Sequence, residues 1–130
     1  IEASSDDVMD CLKKVAATLT SSVYEINSEQ RQYLHLGAVF VNNYSNYLFQ
    51  VAFDVLEKKG IDSTLLMPLI EETVAKIKSL HPELAQTGPA RRKDVETIAQ
   101  HTQLLNDYPD YKEIYQIFAR QLTKKYNEQL

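Results

Sequence analysis

The chain has 130 residues, 44% of them hydrophobic, and a formal net charge of −4 at pH 7. This length and composition are expected for a folded unit with a hydrophobic core. The negative charge argues against general binding to nucleic acids or anionic membranes, which both depend on a positive field, and no apolar run approaches a membrane span. The single cysteine, Cys11, cannot form an internal disulfide, which favours a reducing, cytoplasmic compartment.

The first 26 residues have a strand, helix, strand pattern. A serine-capped helix is predicted from Asp6 to about Leu19, and Val23–Ile26 is typical of a short strand. Such a unit implies a parallel strand pair, and two short strands need a larger sheet. Because the chain also starts without Met, we expect a fragment or a processed product, in which residues 1–26 end one domain and residues 27–130 form another.

The longest predicted element is a helix from Asn27 to about Lys58. Asn27 and Gln30 have the spacing of a capping box, and Lys58, Lys59 and Gly60 supply a cationic last turn and a glycine stop. About thirty residues at 1.5 Å each give a rod of roughly 45 Å. We therefore expect the remaining helices to form a bundle around this one.

Four polar side chains interrupt the apolar middle of this helix: His35, Asn42, Asn43 and Asn46. At about 100° per residue, Asn42 and Asn46 project within about 20° of His35, while Asn43 lies about 80° away. His35, Asn42 and Asn46 are therefore predicted to form one polar stripe. One interpretation is that the amides satisfy buried backbone or neighbouring helices, because buried amides are normally hydrogen-bonded. The other is that they line a substrate pocket.

The remaining helices are read as packing elements around this rod. A segment from Ile61 to about Leu80 is predicted to be helical, with Pro68 either kinking it or marking the first turn of its main part. The last helix, from Tyr108 to about Asn127, has apolar and aromatic residues at helical spacing. We assign its tyrosines to packing.

Between them, the stretch from His81 to Lys93 is polar and predicted to be a loop. Asp94 then caps a helix reaching about Leu105, and Thr97 and His101 share a face with Asp94. One interpretation is a solvated cap with an exposed histidine. The other is a cluster with Arg92 that clamps an anionic or polar substrate, because arginine presents a planar fork suited to carboxylate or phosphate. No metal-ligand pattern is present in the sequence.

Three stretches in a fixed order carry a family resemblance: His35-Leu36-Gly37-Ala38-Val39-Phe40-Val41-Asn42-Asn43, Leu69-Ile70-Glu71-Glu72-Thr73, and Thr87-Gly88-Pro89 with Arg92, Asp94, Thr97 and His101. They resemble the C-terminal domain of a bacterial family that joins a Rossmann-like NADP-binding domain to a helical domain of unknown function, and that is usually described as NADP-dependent oxidoreductases. The resemblance implies a mainly α bundle similar to the 6-phosphogluconate dehydrogenase C-terminal domain, preceded by a strand-helix-strand remnant of the Rossmann-like domain.

The resemblance also implies roles for individual residues. In ketopantoate-reductase-like enzymes, which pair similar domains, a Lys and an Asn eight residues later protonate and orient the reacting carbonyl. His35 and Asn43 have that spacing, although Val39 stands where the pattern has a further Asn and Lys93 stands where the family often has Gly. The residues implied to bind substrate are Asn42, Asn46, Thr87, Arg92, Asp94, Thr97 and His101.

The implied function is the substrate-binding and dimerisation domain of an oxidoreductase that transfers hydride to or from a small carbonyl, imine or hydroxy acid. NADP is expected to bind mainly to the N-terminal domain, because this chain has three glycines and no Gly-rich loop after a strand. We expect a homodimer, a small and anionic substrate, and no activity from this chain alone. The alternative is a non-catalytic helical module that dimerises or binds a partner in a nucleotide-sensing protein.

Overall fold

The computed structural model describes residues 1–127, and they are mainly helical. The elements are α1 (Asp6–Leu19), α2 (Ser28–Ala38), a π-helical segment (Val39–Tyr44), α3 (Ser45–Glu57), a 3-10 turn (Ser63–Leu66), α4 (Met67–Ser79), α5 (Pro82–Ala85), α6 (Val95–Leu104) and α7 (Pro109–Asn127). The chain divides into two compact units, Ile1–Phe53 and Asp54–Leu130. The mainly α class is confirmed, whereas the predicted bundle and the domain boundary between residues 26 and 27 stay predictions.

A continuous helical run from Ser28 to Glu57 corresponds to the predicted long helix. At its start, the Asn27 side chain accepts from the Gln30 N–H at 2.8 Å, and the Asn27 N–H donates to Gln30 Oε1 at 2.9 Å. At its end, Gly60 has a φ of 71°, the left-handed conformation that stops helices. Both predicted ends are confirmed, because each depends on local hydrogen bonding or backbone conformation.

The run is not a uniform α-helix, because Val39–Tyr44 forms π turns. In a π turn the hydrogen bonds join residues i and i+5, which puts more residues into each turn than in an α-helix. The Ser45 hydroxyl also donates to the Phe40 carbonyl, five residues back, at 3.2 Å. The predicted polar stripe assumed about 100° per residue throughout, so the projection that placed Asn42 and Asn46 near His35 needs correction.

No β-strand occurs in the part of the chain that the structure describes, so the predicted strand at Val23–Ile26 is not confirmed. This segment nevertheless runs beside the first residue. The Ile1 nitrogen donates to the Tyr24 carbonyl at 2.6 Å, and the Ile26 N–H donates to the Ile1 carbonyl at 3.1 Å. Parallel strands make bonds of this pattern, but one such step is too short for a ladder.

In the second unit, proline lies in the first turn of three helices, α4, α5 and α7. Pro68 lies in the first turn of α4, as one of the two predicted alternatives required. Pro82 begins α5, a four-residue helix within a stretch that we predicted to be a loop. Proline suits a first helical turn because its φ is preset and its missing N–H has no partner to lose there.

Helix α7 packs against α6 and is also tied to the end of α3. The Tyr111 hydroxyl donates to Asp54 Oδ2 at 2.6 Å, and the Lys58 ammonium lies 4.7 Å from the centre of the Tyr108 ring. Among the residues whose burial the structure describes, Ala90, at 5% exposed, is the one that is buried. Interiors are therefore small, and local caps and pairwise side-chain contacts carry much of the structure.

Within residues 1–127, no helix has both the length and the apolar character needed to cross a membrane.

Replacing Gly60 by Ala should destabilise the protein by about 1 kcal/mol, because a Cβ disfavours left-handed backbone. Gly37→Ala is the matched control: Gly37 lies inside α2 with nothing within 4 Å of an added Cβ, and this change should stabilise by about 0.5–1 kcal/mol. Urea denaturation of the intact protein measures both. Effects of the same sign would contradict the role of Gly60 as the helix stop.

Candidate functional site

Asp94 fixes the start of α6 through both of its carboxylate oxygens. Oδ1 accepts from the Thr97 N–H at 3.0 Å, and Oδ2 accepts from the Thr97 hydroxyl at 2.8 Å. These two bonds, followed by the charges of Arg92 and His101, lower the pKa of the Asp94 carboxyl. Asp94 is therefore an anion at neutral pH that is already held by its own helix.

Two adjacent arginines before Asp94 have different environments. Arg91 is half-buried, donates to the Gln86 carbonyl at 2.7 Å, and lies with its guanidinium 5.0 Å from the centre of the Tyr126 ring. Arg92 is exposed, and its Nη2 lies 3.9 Å from Asp94 Oδ2, which is a loose ion pair. The Arg91 guanidinium is thus engaged in contacts within the protein, whereas the exposed Arg92 guanidinium is accessible to an anion in solution.

The turn that carries these arginines contains a left-handed residue. Lys93 has a φ of 58°, a region that favours glycine. The Pro89 carbonyl accepts from the N–H groups of Arg92 at 3.1 Å and of Asp94 at 3.0 Å, which closes the turn around Lys93. The turn therefore forms with Lys in a backbone conformation that glycine adopts more readily.

His101, two turns after the Asp94 cap, contacts Tyr115, a tyrosine of α7 whose spacing predicts only packing. Its Nδ1 lies 3.0 Å from the Tyr115 hydroxyl, and the two rings meet edge to face with centroids 5.7 Å apart. Burial, and then the negative charge of Asp94, raise the pKa of Tyr115. Tyr115 therefore joins the cluster. Spacing within α7 could not reveal this, because the contact depends on how α7 packs against α6.

Thr87 is the predicted binding residue of this unit that does not join the cluster. It is exposed, and its carbonyl accepts from Gln86 Nε2 at 2.8 Å. It lines a separate groove of about 300 Å³ formed with residues of α4 and α5. The structure therefore brings together Arg92, Asp94 and Thr97 with His101, and it places Thr87 elsewhere.

The other four predicted site residues, His35, Asn42, Asn43 and Asn46, belong to the first unit. All four are exposed. Their side chains make no hydrogen bond to any residue in the described part of the chain. Asn42 and Asn43 lie in the π segment, a kind of element found frequently at functional sites. Within this unit, the amides are therefore not satisfied by buried backbone or by a neighbouring helix.

Neither a metal site nor a dinucleotide cradle is formed by the described residues. Over residues 1–127, no three or more His, Cys, Asp or Glu side chains are grouped to hold a metal ion. Gly37 lies inside α2, and Gly60 and Gly88 have positive φ in turns. In the described part of the chain none of the three follows a β-strand, so they do not form the glycine-rich phosphate loop of a dinucleotide-binding domain.

Residues 1–122 match the family described as "Domain of unknown function (DUF2520)". The chain belongs to this family. It is also similar to a solved structure titled "Crystal structure of putative NADP oxidoreductase BF3122 from Bacteroides fragilis", with 39% identity and a TM-score of 0.88. That similarity covers 93% of this chain and 47% of the other, so the DUF2520 chain spans about half of that protein's length. No match was found among curated protein sequences. The predicted family resemblance is confirmed.

The lowered pKa of Asp94 predicts how the stability of this DUF2520 chain depends on pH. A carboxyl with a lower pKa in the folded state contributes stability that is present above its unfolded pKa of about 3.9 and is lost as pH falls through the folded pKa. Asp94→Asn retains a good helix cap but does not titrate. The stability advantage of wild type over Asp94→Asn should therefore shrink between about pH 5 and about pH 3. Thermal denaturation across this range measures the advantage, and a constant difference would contradict the prediction.

Proposed function

We propose that this chain is the substrate-binding and dimerisation domain of an NADP-dependent oxidoreductase whose cofactor binds mainly to a neighbouring Rossmann-like domain. Similarity to a solved structure whose title reads "putative NADP oxidoreductase" supports the reaction class. The substrate-binding role rests on the cluster at the start of α6. In this cluster Arg92 is exposed, and the neighbouring Asp94 carboxylate already accepts two hydrogen bonds from Thr97. His101 follows on the same helix.

The cluster favours an anionic substrate. Arg92 is exposed, and its ion pair with Asp94 is loose at 3.9 Å. Both Asp94 oxygens already accept hydrogen bonds from Thr97. A substrate carboxylate can therefore engage the guanidinium fork without first breaking a tight ion pair. Small keto acids, imino acids and hydroxy acids carry such a carboxylate next to a group that can exchange hydride with NADP, and they are the proposed substrates.

His35 and Asn43 are the proposed reactive groups of the first unit. A histidine exchanges protons near neutral pH, and an asparagine amide donates hydrogen bonds to a carbonyl or imine. Both side chains are exposed and unpaired among the described residues, so neither has to leave a structural partner to act. His35 moves the proton and Asn43 orients the reacting group, while Asn42 and Asn46 add polar contacts along the same helical run.

The test uses the intact protein with NADPH or NADH and a panel of keto acids, imines and hydroxy acids, followed by nicotinamide absorbance. We expect turnover of an anionic member of the panel. Arg92→Gln should raise its KM by about 10- to 100-fold with less change in kcat, because hydrogen bonds to a charged group contribute about 1.5–3 kcal/mol. His35→Ala should lower kcat.

Arg91→Gln is the matched control for Arg92→Gln. It removes the bond to the Gln86 carbonyl, and so it should lower Tm without a comparable rise in KM. Tight NADPH binding with no turnover across the panel would contradict the oxidoreductase proposal. Full activity of His35→Ala would remove His35 from the mechanism.

A second candidate function is a non-catalytic helical module, and one observation favours it. The α2–π–α3 run exposes many large apolar and aromatic side chains: Tyr33, Leu34, Leu36, Phe40, Val41, Tyr44, Tyr47 and Phe49. Val41 is 74% exposed and Phe40 is 58% exposed. Large exposed apolar side chains in such number are typical of an interaction surface, and twofold pairing with a second copy is the commonest arrangement of soluble oligomers. The same dimer interface is also part of the oxidoreductase proposal, which includes dimerisation.

Phe40→Glu should weaken self-association of the intact protein by about 10-fold or more, because it places a charge where apolar surface is covered. Gln103→Glu adds the same charge to an exposed position of α6 and should leave association unchanged. Sedimentation velocity over a concentration series measures both. A monomeric wild-type protein, or equal effects of the two substitutions, would refute a dimer interface on this run.

A further inference from the structure

His101 and Tyr115 form a side-chain pair between α6 and α7. His101 Nδ1 lies 3.0 Å from the phenolic oxygen, and the ring planes meet at 74°. In the part of the chain that the structure describes, the Tyr115 hydroxyl has no other hydrogen-bond partner, and His101 Nε2 has none. The contact therefore occupies one ring nitrogen of His101 and leaves the other for a ligand.

We propose that Tyr115 is a positioning residue that holds neutral His101 in the tautomer with its proton on Nε2. The tyrosine hydroxyl donates to Nδ1, so Nε2–H is the group that His101 offers outward from the pair. The consequence for binding rests on the proposed function: Nε2–H then serves, together with Arg92, as a donor to the carboxylate of an anionic substrate.

The direction of the hydrogen bond between Tyr115 and His101 follows from which of their atoms would be left without a partner. Burial and the charge of Asp94 raise the pKa of Tyr115, so the phenol keeps its proton at neutral pH. If Nδ1 carried the histidine proton and donated it to the phenol, the phenolic hydrogen would have no acceptor among the described residues. A half-buried hydroxyl without an acceptor is unfavourable, so the arrangement with tyrosine as donor is preferred.

The tautomer decides what His101 can bind. With the proton on Nε2, even an uncharged imidazole donates a hydrogen bond to an anion, whereas with the proton on Nδ1 the Nε2 lone pair repels one. Arg92 Nη2 lies 3.9 Å from Asp94 Oδ2, and His101 follows Asp94 by two turns on α6, the helix that Asp94 caps. Asp94 itself is held by Thr97 and stays fixed while an external carboxylate binds.

The test is long-range proton–nitrogen NMR on intact protein with labelled histidine, at a pH well above the usual histidine range, about pH 8. This spectrum shows directly which ring nitrogen carries the proton. Signals of His101 are identified by their absence in His101→Gln. We expect wild type to show a protonated Nε2 and an Nδ1 that accepts a hydrogen bond. A protonated Nδ1 would overturn the proposal.

Tyr115→Phe keeps the ring and removes only the hydroxyl, so the accepting signature at Nδ1 should disappear and both tautomers should be populated. Tyr111→Phe is the matched control, because it removes the hydroxyl that bonds Asp54 from the same helix and should leave the His101 signals unchanged. Unchanged His101 signals in Tyr115→Phe would also overturn the proposal.

The NMR signature requires neither substrate nor turnover, so the two proposals fail separately. A fixed tautomer in a protein that turns over nothing in the panel would retain the role of Tyr115 and remove the oxidoreductase function. If an anionic substrate is turned over, Tyr115→Phe should raise its KM about 3- to 10-fold with kcat less affected, in line with one neutral hydrogen bond. If Tyr115→Phe lowered Tm without changing the His101 tautomer, the role of Tyr115 would be packing alone.

Discussion

The carboxylate of Asp94 fixes the start of the helix that carries the candidate site of the second unit. By holding both the N–H and the hydroxyl of Thr97, it fixes the first turn of α6 and therefore the positions of the residues that follow. The turn before it brings Arg92 within 3.9 Å, and two helical turns later His101 reaches Tyr115 on α7. A cation, an imidazole and a phenol are thus arranged by one helix cap, and the cap needs no large interior to form.

Features that depend on local chemistry could be predicted from the sequence. The capping box at Asn27, the left-handed stop at Gly60 and the proline in the first turn of α4 each require only neighbouring residues. The π segment could not be predicted, because its six residues carry no cap, glycine or proline and are equally compatible with an α-helix. As a result the ends of the helix are predicted correctly, whereas the polar stripe rests on an α-helical repeat that Val39–Tyr44 does not keep.

In the candidate cluster, too, contacts within one helix could be predicted from the sequence, whereas contacts between helices could not. The spacing of Asp94, Thr97 and His101 is a property of one helix and was visible in the sequence, whereas Tyr115 entered only once α6 and α7 were seen to pack together. The sequence also could not explain why Arg92 rather than Arg91 should be available. The structure supplies the reason, because Arg91 donates to a backbone carbonyl and stacks near Tyr126 while Arg92 remains exposed.

The π segment imposes a constraint on any surface that covers the long helical run. Asn42 and Asn43 lie directly beside Val41 and Tyr44, which are both exposed. A second copy that buried the apolar side chains together with the amides would leave those amides without hydrogen bonds, at a cost of about 1–3 kcal/mol for each unsatisfied group. The amides must therefore meet water, polar groups of the partner or a bound substrate. A dimer interface and a substrate site can both lie on this helical run if the interface covers the apolar side chains and leaves the amides of Asn42 and Asn43 uncovered.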